Sequence, residues 1–325
     1  MKQTVVRRFT LALLTVALAA CGSPNPAGNV PSVGPAERAP VGPLGLMYVA
    51  NHNDGSVLGF PFKEAGDVQP DFMLKGKKTT LTAPRAIAID LLGRLYVANS
   101  GATQVAVFGG GKSGDVAPQY ILGGPSSHLG PTKGLTIDRS GNLWVSNYAS
   151  DTITEYASGA QGNAAPIATI GGASTQIDNA VGMTFDNNET LYVANEGGSS
   201  VLGFQVGASG NVAPTVAIVG DRTMLDKPCA IAFDTSRRLI VGDRGGHVLV
   251  FARGANGNAA PVAAIAGLDS VCGVGADKQN HIWAVDSGTN SINEYARGAN
   301  GDAVPIRTIE GPYTTLNDPF DILFH

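Results

Sequence analysis

Charge is scarce in this chain. Lys, Arg, Asp and Glu together make 15% of its 325 residues, against about 25% in an ordinary globular domain. The formal net charge is −4, and setting aside the three basic residues Lys2, Arg7 and Arg8 of the N-terminal segment takes it to −7. That balance is a poor platform for nucleic acid or anionic lipid. The apolar run from Phe9 to Ala20 is too short to span a bilayer. No G-x-S-x-G elbow, no P-loop and no phosphate-binding Gly motif ahead of a helix occurs, and Gly109-Gly110-Gly111 reads as a turn between strands. The five His show no His-x-His or His-x3-His spacing. Cysteine is limited to three residues.

Glycine, by contrast, is abundant: 43 of 325 residues, nearly twice the usual ~7%. It is spent on turns within a repeat. LMYVAN (46–51), LYVANS (95–100), LWVSNY (143–148), LYVANE (191–196), LIVGDR (239–244) and IWAVDS (282–287) are six versions of one strand, b. A period of 40 to 50 residues with four strand-like runs per unit predicts an all-β fold, a β-propeller of six four-stranded blades. Ahead of five copies lies a strand a: PRAIAID (84–90), TKGLTID (132–138), AVGMTFD (180–186), PCAIAFD (228–234) and VCGVGAD (271–277). The first copy lacks it, and the last seven residues, PFDILFH (319–325), supply it. The C-terminal strand is therefore expected to complete blade 1 and close the ring.

Strand a carries Ala or Gly where six strands would crowd an axis. Strand c is SVLGF (56–60) and its equivalents, and strand d follows a Pro, as in APQYILGG (117–124). Gly-Asp or Gly-Asn pairs between c and d are expected to form tight turns. The alternation of G-[IL]-x-x-D with LYVA[ND] across residues 46–325 resembles the NHL-repeat propellers, and the GNxAP…I.G outer strand is similar to that of bacterial extracytoplasmic members. The resemblance implies the fold and no particular activity.

Before the repeats, the basic residues, the apolar run and Leu18-Ala19-Ala20-Cys21 read as a signal segment, residues 1–20. LAAC resembles a bacterial lipobox, which implies cleavage before Cys21 and a lipid on its thiol; an ordinary signal peptide with a coincidental Cys is the alternative. Residues 21–43, rich in Pro, Gly, Ser and Asn, read as a tether. The propeller occupies 44–325. The address expected is the bacterial cell envelope, extracytoplasmic and membrane-attached through the lipid alone. An outer membrane is favoured where the host has one, since Gly22 rather than Asp follows the Cys.

Residues repeated in every blade, such as Asn51, Asn99, Asn147, Asn195, Asp243 and Asp286, are expected to brace the b–c turn rather than bind ligand. Positions where blades differ are more informative. At the entry to strand a, one shared position reads Arg85, Lys133, Val181, Cys229, Cys272 and Phe320, and a nearby one includes Asp178, Asp226 and Asp269, with Asp318 adjacent. The b–c loops add His52, Tyr148, Glu196 and Arg244. Together these form a candidate ligand-binding mouth with acidic and basic arcs, suited to a zwitterionic or dipolar ligand, or else ordinary solvated loop charge. Asp321 puts a carboxylate where the other blades have Ala or Gly. It calls for a partner, with Arg85 the natural one; a catalytic carboxylate or a structural divalent cation in the central channel are the alternatives. Cys229 and Cys272, one repeat apart, are either a disulfide between adjacent blades or two buried thiols.

Enzyme templates on this fold fit poorly. Gluconolactonase-like propellers hold a metal through P-N-G and P-D-G turns, where this chain reads PRA, TKG, AVG, PCA, VCG and PFD. The peptide-amidating lyase converges three His on its axis, and the His/Glu constellation of streptogramin lyase has no match. No catalytic residue, metal ligand or cofactor is assigned. The reading is a monomeric protein- or ligand-binding module with an unidentified partner; the alternative is a metal-assisted lyase or hydrolase, lactonase-like or amidating-lyase-like, working at the mouth.

Overall fold

A computed structural model describes residues 45–325; the signal segment, Cys21 and the tether read over 21–43 lie outside the described residues. The chain forms six four-stranded antiparallel sheets, the blades of a β-propeller. Blade 1 is ordered Pro319–Phe324, Leu46–Asn51, Ser56–Pro61, Phe72–Leu74, so its innermost strand comes from the C-terminus. The seam register pairs Asn51 with Pro319 and Val49 with Ile322. Blades 2 to 6 take their innermost strands a from Pro84–Ile89, Thr132–Ile137, Ala180–Phe185, Pro228–Phe233 and Val271–Ala276.

Strand b is apolar at nearly every position because both of its faces are covered. In blade 1, Tyr48 and Ala50 pack towards Ile87 and Val97 of blade 2. Met47 and Val49 pack towards Trp283 and Val285 of blade 6. Alternate side chains thus serve alternate neighbours, which is the period of a strand. Near the axis the small residues are obligatory: a Cβ on Gly134 would fall on the carbonyl oxygen of Val181 in the next blade.

Three further devices tie blades together. The Asn or Asp that ends strand b is buried and accepts a hydrogen bond from the loop entering strand a, as in Thr82 N–H to Asn99 (2.5 Å), Asp178 N–H to Asn195 (2.7 Å) and Asn317 N–H to Asn51 (2.7 Å). The brace therefore runs chiefly to the d–a loop; Asn51 and Asn195 also donate to Ser56 and Ser200 within the b–c turn. In five of the d–a loops a 3-10 turn holds a buried hydroxyl, Thr79, Ser127, Thr175, Thr223 or Thr314. Each donates to the carbonyl of the Gly three residues earlier.

Finally, the Gly-Asp and Gly-Asn pairs reach outward beyond their own turn. Each Gly bridges strand d of the preceding blade, all the way round the ring. In five cases the next residue clasps that blade's 3-10 turn by accepting a backbone N–H: Asp115 from Lys78, Asn163 from Ser126, Asn211 from Ser174, Asn258 from Arg222 and Asp67 from Tyr313. The sixth, Asp302, has no such turn to clasp, because the loop between blades 5 and 6 is the shortened one.

Candidate functional site

A β-bulge at the start of strand a builds the mouth. In blades 2, 3, 5 and 6 the residues left out of the ladder are Arg85, Lys133, Cys229 and Cys272. Val181 lies within the same irregularity in blade 4. A bulge re-aims the side chain it carries, and these groups meet around the axis. Val181, Cys229, Cys272 and Phe320 form one buried cluster, with Tyr148 packed against it. Cys229 and Cys272 are joined as a disulfide, their Cα atoms 5.0 Å apart. The floor of the mouth is thus apolar and covalently stitched across blades 5 and 6.

Cations rim this floor. The Arg85 guanidinium lies over the Phe320 ring at 4.4 Å from its centroid, and Arg244 approaches the same ring at 5.8 Å. Lys133 Nζ sits 3.0 Å from the centre of the Tyr148 ring. One carboxylate ties the group: Glu196 lies 3.4 Å from Lys133 Nζ, 3.3 Å from Arg244 Nε, and accepts from the Tyr148 hydroxyl at 3.4 Å. The Lys133 and Glu196 side chains are only 13% and 12% exposed, so this pairing is less screened than a surface ion pair. Burial pushes the Lys133 ammonium down to about 8, opposed by Glu196 and assisted by Arg85 and Arg244. Burial and then Arg244 lower Arg85 as well. Arg85 Nη1 is buried with no hydrogen-bond partner, and Arg244 Nε faces Glu196 without hydrogen-bond alignment. Three cations share one central carboxylate, Glu196, with Asp318 at the rim also acting on Arg85.

The acidic residues read as an opposing arc do not converge. Asp178, Asp226 and Asp269 are exposed and stand against Gly197, Gly245 and Gly288 of the b–c turns. Asp318 is at the rim, 3.0 Å from His52 Nδ1, and His52 meets the Phe320 ring edge-on at 5.3 Å.

Asp321 is not paired with Arg85. In blade 1 the bulge falls one residue later than elsewhere, so Phe320 pairs with Ala50 and Asp321 is left out, with φ +42°. Its carboxylate turns into the channel wall, accepting from the N–H of Ile87 at 2.9 Å and of Ile322 at 2.9 Å. Arg85 is held instead by the aromatic face of Phe320. Burial raises the Asp321 carboxyl to about 7 against those two hydrogen bonds. Part of its surface still reaches the axial space, about 30 Å³, which is room for about one water.

Among the described residues, one group has the composition and spacing of metal ligands: Asp277, His281 and Glu294 of blade 6. It lies at the a–b turn, the opposite end of the blades from the mouth. A search for His-x-His and His-x3-His spacing passes over this group, because His281 is its only imidazole. The signal was available as Asp-x3-His-x12-Glu in blade 6 against Asp-x3-Asn-x12-Glu in blade 3.

No family model and no curated protein matches the chain. Solved structures do. A putative 6-phosphogluconolactonase from Bacteroides uniformis ATCC 8492 is 17% identical with a TM-score of 0.60, covering 86% of this chain and 84% of that one. A chain of a nidogen/laminin complex is 16% identical, TM-score 0.59, covering 85% and 97%. A streptogramin B lyase is 13% identical, TM-score 0.53, covering 79% and 83%. At such identities the likeness is one of fold alone, and the proteins that share it have quite different names and roles.

Proposed function

We propose that this chain is a lipid-anchored, extracytoplasmic propeller of the bacterial cell envelope that binds an anionic ligand with an apolar portion at its central mouth. The observation that carries the reading is the set of Arg85, Lys133 and Arg244 around the floor of Val181, Phe320 and the disulfide. Arg85 keeps a buried donor, Nη1, without a partner. A buried donor left unpaired is costly, and a carboxylate arriving at the mouth would pair with it by drawing the Arg85 guanidinium outward from Phe320. The alternative, a metal-assisted lyase or hydrolase at the mouth, draws on the likeness to a putative lactonase and a lyase. It lacks a matching group there: the central carboxylate, Glu196, is already engaged by Lys133, Arg244 and Tyr148.

The test is calorimetric titration of the protein with benzoate and phenylacetate against their uncharged amides. Carboxylates should bind and amides should not, and Arg85→Ala or Arg244→Ala should weaken binding by roughly tenfold or more, as for loss of a charged hydrogen bond. Equal or absent binding across the series would remove the reading.

A further inference from the structure

Blades 3 and 6 solve the same local problem differently. In blade 3, Asp138, Asn142, Trp144 and Glu155 stand at relative positions 0, 4, 6 and 17; in blade 6 those positions hold Asp277, His281, Trp283 and Glu294. Blade 3 is closed by hydrogen bonds. Trp144 Nε1 donates to Asp138 Oδ2 at 3.1 Å, and Asn142 Nδ2 donates to Glu155 Oε1 at 2.8 Å. Blade 6 is not. Trp283, 1% exposed, has its Nε1 buried with no partner. Asp277 Oδ2 lies instead 3.0 Å from His281 Nδ1. Glu294, 0% exposed, brings Oε1 to 2.9 Å from the same nitrogen. Neither contact has hydrogen-bond alignment, and Glu294 Oε1 is itself without a hydrogen-bond partner. One ring nitrogen therefore faces two carboxylate oxygens without being directed at either.

We propose that Asp277 Oδ2, His281 Nδ1 and Glu294 Oε1 form a binding site for a divalent first-row transition-metal ion such as Zn²⁺. An ion about 2.1 Å from each donor needs donors spaced roughly 3.0–3.4 Å apart. The two His281 distances already match, and all three donor atoms lie within 4.8 Å of one another. One imidazole with two carboxylates suits such an ion better than Ca²⁺ or Mg²⁺, which prefer all-oxygen sets. The other Glu294 oxygen is engaged by Arg307 Nε, the kind of outer partner that orients a carboxylate ligand. Three protein ligands leave coordination positions open. A cavity of about 720 Å³, lined by His281, Trp283, Arg307 and Phe324, adjoins them. An oxygen ligand entering from there would also meet the unpartnered indole N–H.

The experiment uses the full-length protein, stripped with chelator and titrated with Zn²⁺ by calorimetry. One equivalent should bind in wild type and in His52→Ala, which removes the imidazole at the mouth. His281→Asn copies the residue of blade 3, and should abolish binding or weaken it beyond the roughly 10–100-fold that loss of an outer partner costs. As a check that leaves the site unaltered, Co²⁺ should quench Trp283 fluorescence in a Trp144→Phe background, with excess Mg²⁺ failing to reverse it. Absence of saturable Zn²⁺ binding, binding unchanged by His281→Asn, or loss in His52→Ala alone would each overturn the assignment.

Discussion

Asp67, in the first blade, accepts a hydrogen bond on Oδ1 at 2.6 Å from the backbone N–H of Tyr313, in the last loop of the chain. The two residues are 246 positions apart, yet the bond repeats the clasp that joins blades close in sequence, such as Asp115 to Lys78. The ring is therefore sealed twice: at its inner rim by Pro319–Phe324 pairing with Leu46–Asn51, and at its outer rim by Asp67.

Asp67→Ala should lower stability by about 1 kcal/mol, a charge-assisted hydrogen bond discounted for its exposure to solvent. Deleting residues 319–325 should cost far more, since it strips the inner strand from blade 1, whereas trimming within 24–40 should cost little. Urea denaturation of the three variants supplies the ranking. Comparable midpoints for the two deletions would refute the closure by the C-terminal strand.

Asp321 should make stability depend on pH. Its carboxyl is raised from 3.8 to about 7 by burial, so the native state keeps a proton that the unfolded chain has released. Stability contributed by the neutral carboxyl is complete below about pH 4, falls as pH rises towards about 7, and levels above it. Asp321→Asn remains uncharged, and Asn tolerates the positive φ at this position. The wild-type minus variant difference in denaturation midpoint should follow that curve. A difference independent of pH would assign the titration elsewhere.

Lys133 should set the upper pH limit of anion binding at the mouth. With its ammonium lowered to about 8, it loses its charge as pH rises past that value. Affinity for benzoate should fall several-fold as pH rises through about 8, and Lys133→Arg should remove that step. Titrations in matched buffers on either side of the transition compare the two proteins.

The disulfide closes a segment with a sequence separation of 43, for which chain entropy gives about 4 kcal/mol as an upper figure. Mass spectrometry of non-reduced, alkylated protein should recover Cys229 and Cys272 as one linked peptide pair. The double variant Cys229→Ser/Cys272→Ser should melt lower than wild type by several degrees. Two alkylated thiols would make them ordinary core residues instead.

Cys21→Ser tests the address. A lipidated Cys carries at least two chains, enough for stable attachment, so the variant should leave the membrane fraction for the soluble one. Unchanged partitioning would end the lipoprotein reading.

The blade count, the order of strands and the seam were legible because each rests on a pattern that repeats. LYVAN recurs with its period, and PFDILFH matches PRAIAID across the whole chain. The mouth was legible in part. The variable position at the entry to strand a does bring Arg85, Lys133, Val181, Cys229, Cys272 and Phe320 together, because one shared bulge aims them inward. What failed was direction. Asp178 and Asp226 share a loop with mouth residues but flank the bulge, and loop membership alone does not say which way a carboxylate points. The partner of Asp321 was misjudged for a similar reason: a one-residue shift of the bulge in blade 1 leaves no mark in an alignment. Asp277, His281 and Glu294 were overlooked because they lie on three different segments, and only the strand register brings Glu294 opposite Trp283.

The shortened loop before blade 6 has a mechanical meaning. It leaves Asp302 with nothing to grip, so at the junction of blades 5 and 6 the outer rim is held by the backbone bridge of Gly301 to Ile265 and by Asn300, which accepts from the Ala264 N–H at 2.8 Å, without the grip on a 3-10 turn found at the other five junctions. The disulfide crosses that same junction at the inner rim. The junction without a turn to clasp is thus the one stitched by a bond that forms only in oxidising surroundings. Reduction would remove the inner stitch of that junction alone, while the seam where the chain's two ends meet would keep both its strand pairing and its clasp.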